Sequence, residues 1–218
     1  MRRLAAGVAL GAALAGAAAC RDSSVSSCFE PNASAYFFNP PGDTNGVFRW
    51  PATYIPVRVY AEPAGELQRN VDSAMFLWVG AFRCGELSMT RITDSSLADI
   101  VVRNPAVLPA PRAALHFAAD SVGMCTGRTD VALDGANRLE RPIRSYVARV
   151  GIDSAATAAC YHFVVAHELG HALGLFQHSG DVADLMYPVP RRRALSDADR
   201  YTIQLLYHTP PSIPPTPR

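Results

Sequence analysis

The chain has 218 residues, of which 49% are hydrophobic and 18% charged, and its 20 basic and 19 acidic residues leave a formal charge of +1. A chain of that length builds one domain with a sizeable core. So even a balance offers no basic surface for a polyanion, and nucleic acid is excluded as a partner.

Met1-Arg2-Arg3 precedes a run of small apolar residues from Leu4 to Ala19 that ends in Ala17-Ala18-Ala19. A basic start, a short apolar stretch and a small-residue end describe a secretory signal over 1–19, too short for a spanning helix of ~20 residues with flanking anchors. Export is the expectation. Cys20 follows directly and resembles the lipidated cysteine of a bacterial lipobox, with Ala17 where that motif usually has leucine. The predicted product is a cell-envelope lipoprotein anchored to a bacterial membrane, and secretion after cleavage near Ala19 is the alternative. Loss of 1–19 removes two arginines and no acid, which turns the formal charge of +1 into −1. With Cys20 acylated, Cys28, Cys84, Cys125 and Cys160 remain, an even number that predicts two disulfides with all three connectivities open.

Residues 20–52 are rich in Ser, Pro, Asn and Gly but also carry Tyr36, Phe37, Phe38, Phe48 and Trp50. Pure linkers lack so many aromatics, so the segment reads as a tether grading into an ordered N-terminal arm. The domain proper is expected over 53–208. Ile55 to Tyr60 alternates as a first strand. Leu67, Val71, Ala74, Met75, Trp78 and Phe82 then keep the spacing of a buried helical stripe over 65–82, closed by Cys84 and Gly85. Residues 86–92 and 98–103 read as the second and third strands, the latter an apolar run suited to a central position. The stretch 104–120 is rich in Pro and Ala and is assigned no element. Residues 124–133 are predicted as an edge strand whose N–H and C=O groups would pair with an extended peptide. A last strand over 144–151 leads into a helix capped by Asp153 or Ser154 and running to Gly174.

That helix carries His167-Glu168-Leu169-Gly170-His171. Four residues advance about 400° around a helix, so His167 and His171 project from nearly one side, one turn apart. Zinc takes neutral imidazole nitrogens at roughly 2.0–2.1 Å, and a catalytic site keeps three protein ligands with one position open to water. Glu168 is placed to take that water's proton. The apolar lead-in Phe163-Val164-Val165-Ala166 separates this arrangement from two histidines on a solvated face. His162 lies about 140° around the helix from His167 and is a structural or surface histidine. Gly174, three residues past His171, is placed to end the helix in a left-handed conformation and reverse the chain towards a third ligand.

His167-Glu168-x-x-His171-x-x-Gly174, followed by Leu185-Met186-Tyr187-Pro188, resembles the metzincin pattern with its Met-turn, and in particular the matrixin-like bacterial members. The family's third histidine falls three residues after the glycine, where this chain has Gln177; its own histidine is one later, at His178. Either Gln177 replaces the ligand, or one residue is inserted in the turn and His178 binds. From His178 through Ser179 to Leu-Met-Tyr-Pro the chain resembles matrixins without a gap, and Gln is a poor zinc ligand beside imidazole, so His178 is favoured. The resemblance implies an α+β, metzincin-like fold: a twisted mixed β-sheet with helices, an active-site helix, a Met-turn and a C-terminal helix. It implies His167, His171 and His178 around one catalytic zinc ion, Met186 as an apolar floor beneath them, and Glu168 as general base of a metalloendopeptidase acting on a protein or peptide substrate. Matrixins also carry a structural metal near the equivalent of 104–120. His116 and Asp120 fall short of that ligand set and are assigned no second ion. No cysteine-switch propeptide is recognisable around Cys28, and Pro188 stands where an astacin-like tyrosine ligand would be.

Pro190-Arg191-Arg192-Arg193 reads as a solvated loop, and Ser196 opens a final helix with Asp197 and Asp199 in its first turn and Ile203, Leu206 and Tyr207 facing inward. Residues 209–218, with five prolines, read as an extended tail. The chain is expected to act as a monomer, and two rivals remain open: a surface protein of the same fold that binds zinc without turnover, and a site whose third ligand is Asp181 or Asp184. Pro188-Val189-Pro190 replaces the Pro-x-Tyr that lines a matrixin specificity pocket, so no cleavage preference carries over.

Overall fold

Val57, Val59 and Ala61 are buried while Arg58 and Tyr60 are half-buried, and this alternation sets the first strand, β1 (Val57–Ala61). The structure, a computed structural model, describes residues 28, 35–39, 46–111, 115–122, 125–149 and 154–218. The signal segment, Cys20 and Asp153 lie outside these residues. After β1 come α1 (Gly65–Val79), β2 (Met89–Ile92), β3 (Ile100–Arg103), β4 (Leu115–Val122), β5 (Cys125–Val131), β6 (Ile143–Arg149), α2 (Ser154–Ala172) and α3 (Asp197–His208). The strands form one mixed sheet in the order β2-β1-β3-β6-β5-β4. β2, β1, β3 and β6 run parallel, β5 is antiparallel to β6, and β4 is antiparallel to β5. This is the α+β architecture of a mixed β-sheet with helices that the sequence implied.

Two expectations change. The strand expected at the edge is interior: β5 is laddered to β6 on one side and to β4 on the other, Thr129 for instance facing Ser145 and Phe117. The edge belongs to β4, drawn from the stretch to which the sequence assigns no element. Ala118 and Ala119 have weak strand preference, and the ladder to β5 overrides it. The proline-rich tail is extended, as expected, but it is packed. Ile213 is buried, Leu139 N–H donates to Pro214 O, and Thr216 N–H donates to Leu139 O, both at 2.8 Å.

The core is centred on α2, which is sheltered by two fully buried tryptophans. Trp78 of α1 donates its Nε1–H to Ala166 O at 2.8 Å, and Trp50 of the N-terminal arm donates to Ala172 O at 3.0 Å. Ala172 is in the last turn, where carbonyls lack helical partners, so Trp50 satisfies a group that would otherwise be buried unpaired. Two disulfides resolve the open connectivity as Cys28–Cys84 and Cys125–Cys160. The second joins α2 to β5.

At the start of β3 the fully buried Asp99 gathers three arginines. Its carboxylate accepts from the Arg58 amide (2.8 Å), from Arg141 (2.7 Å to Nη2) and from Arg218 (2.8 Å to Nη2). Burial works to raise the Asp99 carboxyl, but the bonds from Arg218 and the Arg58 amide, with the charges of Arg141 and Arg218, hold it below the usual carboxylate range. A lowered folded value means that the stabilisation is fully present above the unfolded pKa of about 4 and disappears as pH falls through the lower folded value. Asp99→Asn leaves buried guanidinium charge uncompensated and should cost about 3 kcal/mol. Urea unfolding at pH 7 is expected to show that loss, and the gap to the parent should close as pH falls through the lowered value of the Asp99 carboxyl.

Candidate metal centre

Every residue from Val164 to Phe176 is buried, so the C-terminal half of α2 is enclosed on all sides, and its polar side chains must find partners inside the protein. His167 places Nδ1 2.9 Å from Leu185 O, and His171 places Nδ1 2.6 Å from Leu175 O. A carbonyl only accepts, so both rings carry their proton on Nδ1, and each Nε2 presents a lone pair. These lone pairs face each other: the His167 and His171 Nε2 atoms are 3.1 Å apart, and His178 Nε2 is 3.2 Å from His171 Nε2. With no proton available between the first two, the contact is repulsive, and a cation among them would reverse its sign.

Among the described residues these three histidines form a group whose ligand atoms all lie within 4.8 Å of one another. Imidazoles around a tetrahedral zinc at roughly 2.0–2.1 Å would stand ~3.3 Å apart, so the set is close to the spacing the ion requires. Burial pushes the His167 pKa down to about 3, opposed by the bond to Leu185 and aided by the charge of His178. Burial also pushes His171 well down, helped by its two histidine neighbours. The rings are therefore neutral, the state a metal ligand needs.

The turn after α2 delivers His178. Gly174 has φ +112°, the left-handed conformation expected of it, and a Cβ there would overlap the Phe48 carbonyl. Gln177 does not join the centre; its Nε2 donates to Asn39 O at 2.9 Å. Asp184 pairs with Ser179 Oγ, and Asp181 accepts from the Ala183 N–H, so neither rival carboxylate joins it. His162 turns away, with Nε2 3.4 Å from Arg193 O. Met186 is fully buried under α2, where a Cβ on Gly170 would come within 2.5 Å of its sulfur.

Glu168 is fully buried beside the histidines and is held by β5. Thr129 Oγ1 lies 2.6 Å from Glu168 Oε2, 3.0 Å from the Glu168 carbonyl and 2.9 Å from Ser145 Oγ. Ser145 can donate to Thr129, which donates on to Glu168, and the chain of hydroxyls fixes the carboxylate. Gly127, also on β5, lies against Glu168, and a Cβ there would overlap Oε1. No motif marks Thr129, Ser145 or Gly127 in the sequence. Asp199 reads in the sequence only as a first-turn acid, yet it accepts from the N–H groups of Leu185 (2.8 Å) and Met186 (3.3 Å) and from Tyr36 Oη (2.9 Å). Burial raises its pKa against those bonds. The signal was present, since Ser196-x-x-Asp199 forms the capping box of α3.

Residues 104–208 match the Matrixin family. The chain is 29% identical over 150 residues to Matrix metalloproteinase-A of Caenorhabditis elegans, covering 65% of this chain and 25% of that protein. It is 45% identical over 65 residues to Stromelysin-1 of Equus caballus, covering 27% of this chain and 13% of that one. The chain thus spans a quarter or less of the length of these relatives. A solved structure of High choriolytic enzyme 1, a hatching-enzyme zinc-protease from the medaka fish Oryzias latipes, superposes with a TM-score of 0.40 at 14% identity, covering 84% of this chain and 95% of that one.

Because β5 approaches Glu168 through Gly127, Gly127→Ala should force the carboxylate and Val164 aside. Overpacking of this kind costs about 1–3 kcal/mol, to be read as a lowered urea midpoint with an unchanged m value.

Proposed function

We infer that this chain, which is a matrixin-like metzincin, is an exported zinc endopeptidase in which His167, His171 and His178 hold one catalytic ion and Glu168 is the general base. The observation that carries the reading is the meeting of the imidazole Nε2 atoms, two of them bare because Nδ1 is committed to a carbonyl, beside a buried carboxylate. When bound, zinc supplies Lewis acidity, polarising the scissile carbonyl and lowering the pKa of a water from about 16 towards ~7. Glu168 takes the proton of the attacking water on its carboxylate and passes it to the leaving amine. Thr129 holds Oε2 so that the carboxylate keeps one orientation through both transfers. The Leu185 and Leu175 carbonyls keep His167 and His171 in the tautomer that binds a cation. Met186 supplies the apolar floor. The substrate is a protein or peptide, residues 53–208 are the catalytic unit, and the chain acts as a monomer without nucleic acid.

Export rests on residues 1–19, and two disulfides accord with an oxidising compartment. Cys20 is the anchor of a bacterial lipoprotein. Made in a bacterium with residues 1–20 intact, the protein should take up labelled palmitate and sediment with membranes. Cys20→Ser should remove the label, and a label that persists would rule the anchor out.

For the chemistry, Glu168→Gln should bind zinc one to one as the parent does while casein cleavage drops by about 10²–10⁴-fold. Equal cleavage by parent and variant would sink the general-base role. A parent that binds one zinc yet cleaves nothing in a denatured-protein library would instead be a zinc-bearing surface binding protein.

A further inference from the structure

His178 is the one histidine of the centre that does not ride on α2, and it arrives through a turn one residue longer than the matrixin pattern. That extra length is taken up by the N-terminal arm. Phe176 donates its N–H to Phe38 O at 3.1 Å, and Gln177 donates from Nε2 to Asn39 O at 2.9 Å. Two successive residues of the turn therefore hang from two successive carbonyls of the arm, and the Phe176 ring stacks on Phe48 with centroids 6.0 Å apart. The arm is itself fastened. Tyr36 donates its N–H to Thr202 Oγ1 at 3.0 Å and its hydroxyl to Asp199 at 2.9 Å, and Asn39 is buried. On the far side of His178, the Ser179 N–H donates to Met186 O at 2.9 Å. His178 is thus bracketed by a bond to the Met-turn on one side and by the arm on the other.

We propose that Gln177 is a positioning residue for the third ligand: its bond to the arm sets the approach of His178 to the other two imidazoles, and with it the affinity for zinc. A turn with one surplus residue has more conformations than a tight one, and each conformation that swings His178 away competes with binding. The Gln177 amide removes that freedom at the residue next to the ligand. Leu175, Phe176 and Ser179 are fixed by burial or backbone bonds, whereas Gln177 is fastened to the arm through its side chain. The inference rests on the reading of His178 as third ligand.

The test is zinc affinity by chelator competition, with the visible spectrum of the cobalt(II) form as a second readout, on the full chain. Gln177→Glu keeps the size of the side chain but turns its donor into an acceptor facing the Asn39 carbonyl. It should weaken zinc by about 10- to 100-fold, the range for loss of a group that orients a ligand, and alter the cobalt spectrum, while the metal-free protein melts within a few degrees of the parent. Gln177→Ala should do the same if the charge of the first variant disturbs folding. In a His178→Ala background the Gln177 substitutions should change zinc affinity no further, because Gln177 acts through that ring. Parent-like affinity and spectrum in both Gln177 variants, or an undiminished effect in the His178→Ala background, overturns the proposal. If His178→Ala itself binds zinc as tightly as the parent, it is the reading of the third ligand that fails, and the positioning role fails with it.

Discussion

Two imidazole nitrogens that meet with no proton between them repel each other unless a positive charge lies there, so the protein must hold the His167 and His171 rings by other means. It does so from behind. The Leu185 and Leu175 carbonyls each hold an Nδ1, and both belong to the segment that returns after α2. The same bonds fix the orientation of the rings and the position of their protons, because a ring that donates through Nδ1 has no proton to offer at Nε2. Burial completes the effect by keeping the rings neutral. Geometry, tautomer and charge state therefore have one cause, the packing of the return segment against a buried helix.

That packing depends on groups distant in sequence. Asp199, at the start of α3, accepts from Leu185 and Met186, and Leu185 in turn holds His167. The arm reaches the same carboxylate through Tyr36 and the turn through Phe38 and Asn39. On the other face, β5 meets α2 through Thr129, Gly127 and the Cys125–Cys160 bridge. The centre lies where arm, sheet, helix and C-terminal helix meet, and it needs all four. A short motif on an isolated helix would give two histidines in solvent and little more.

Local signals made α1, β1, β3, β6, α2 and α3 readable, since each has a periodicity, a cap or an apolar run of its own. The site was readable to the extent that its members share a stretch of chain: His167, Glu168 and His171 from helical spacing, His178 from the register down to Met186. What stayed hidden was long-range. Nothing adjacent to Thr129 in sequence says that it meets Glu168, and Gln177 looked like a failed ligand because its partner, Asn39, lies 138 residues away. β4 was missed because a strand containing Ala118, Ala119 and Asp120 is stabilised by its neighbour rather than by its own preference. That omission also misplaced the edge: with β4 present, both ladder sides of β5 are used, and an extended peptide that pairs with this end of the sheet must do so along β4.

The centre also ties metal affinity to folding. His167 and His171 belong to α2 and His178 to the return segment, so a cation binding all three links elements that are otherwise joined by hydrogen bonds and packing. An unfolded chain has no such site, and whatever free energy the ion contributes appears as stability of the folded state. The repulsion between the His167 and His171 nitrogens acts in the opposite direction within α2, while His178 comes from the turn outside that helix. Residues that hold this turn therefore act on both quantities: they limit how far the ring can retreat when no cation is present, and they reduce the reorganisation needed when one arrives. The two tryptophan bonds to Ala166 and Ala172 act differently, because they hold the helix whether or not the rings are bridged. Support for the helix therefore governs the stability of the metal-free fold, and support for the turn governs how much the ion adds to it.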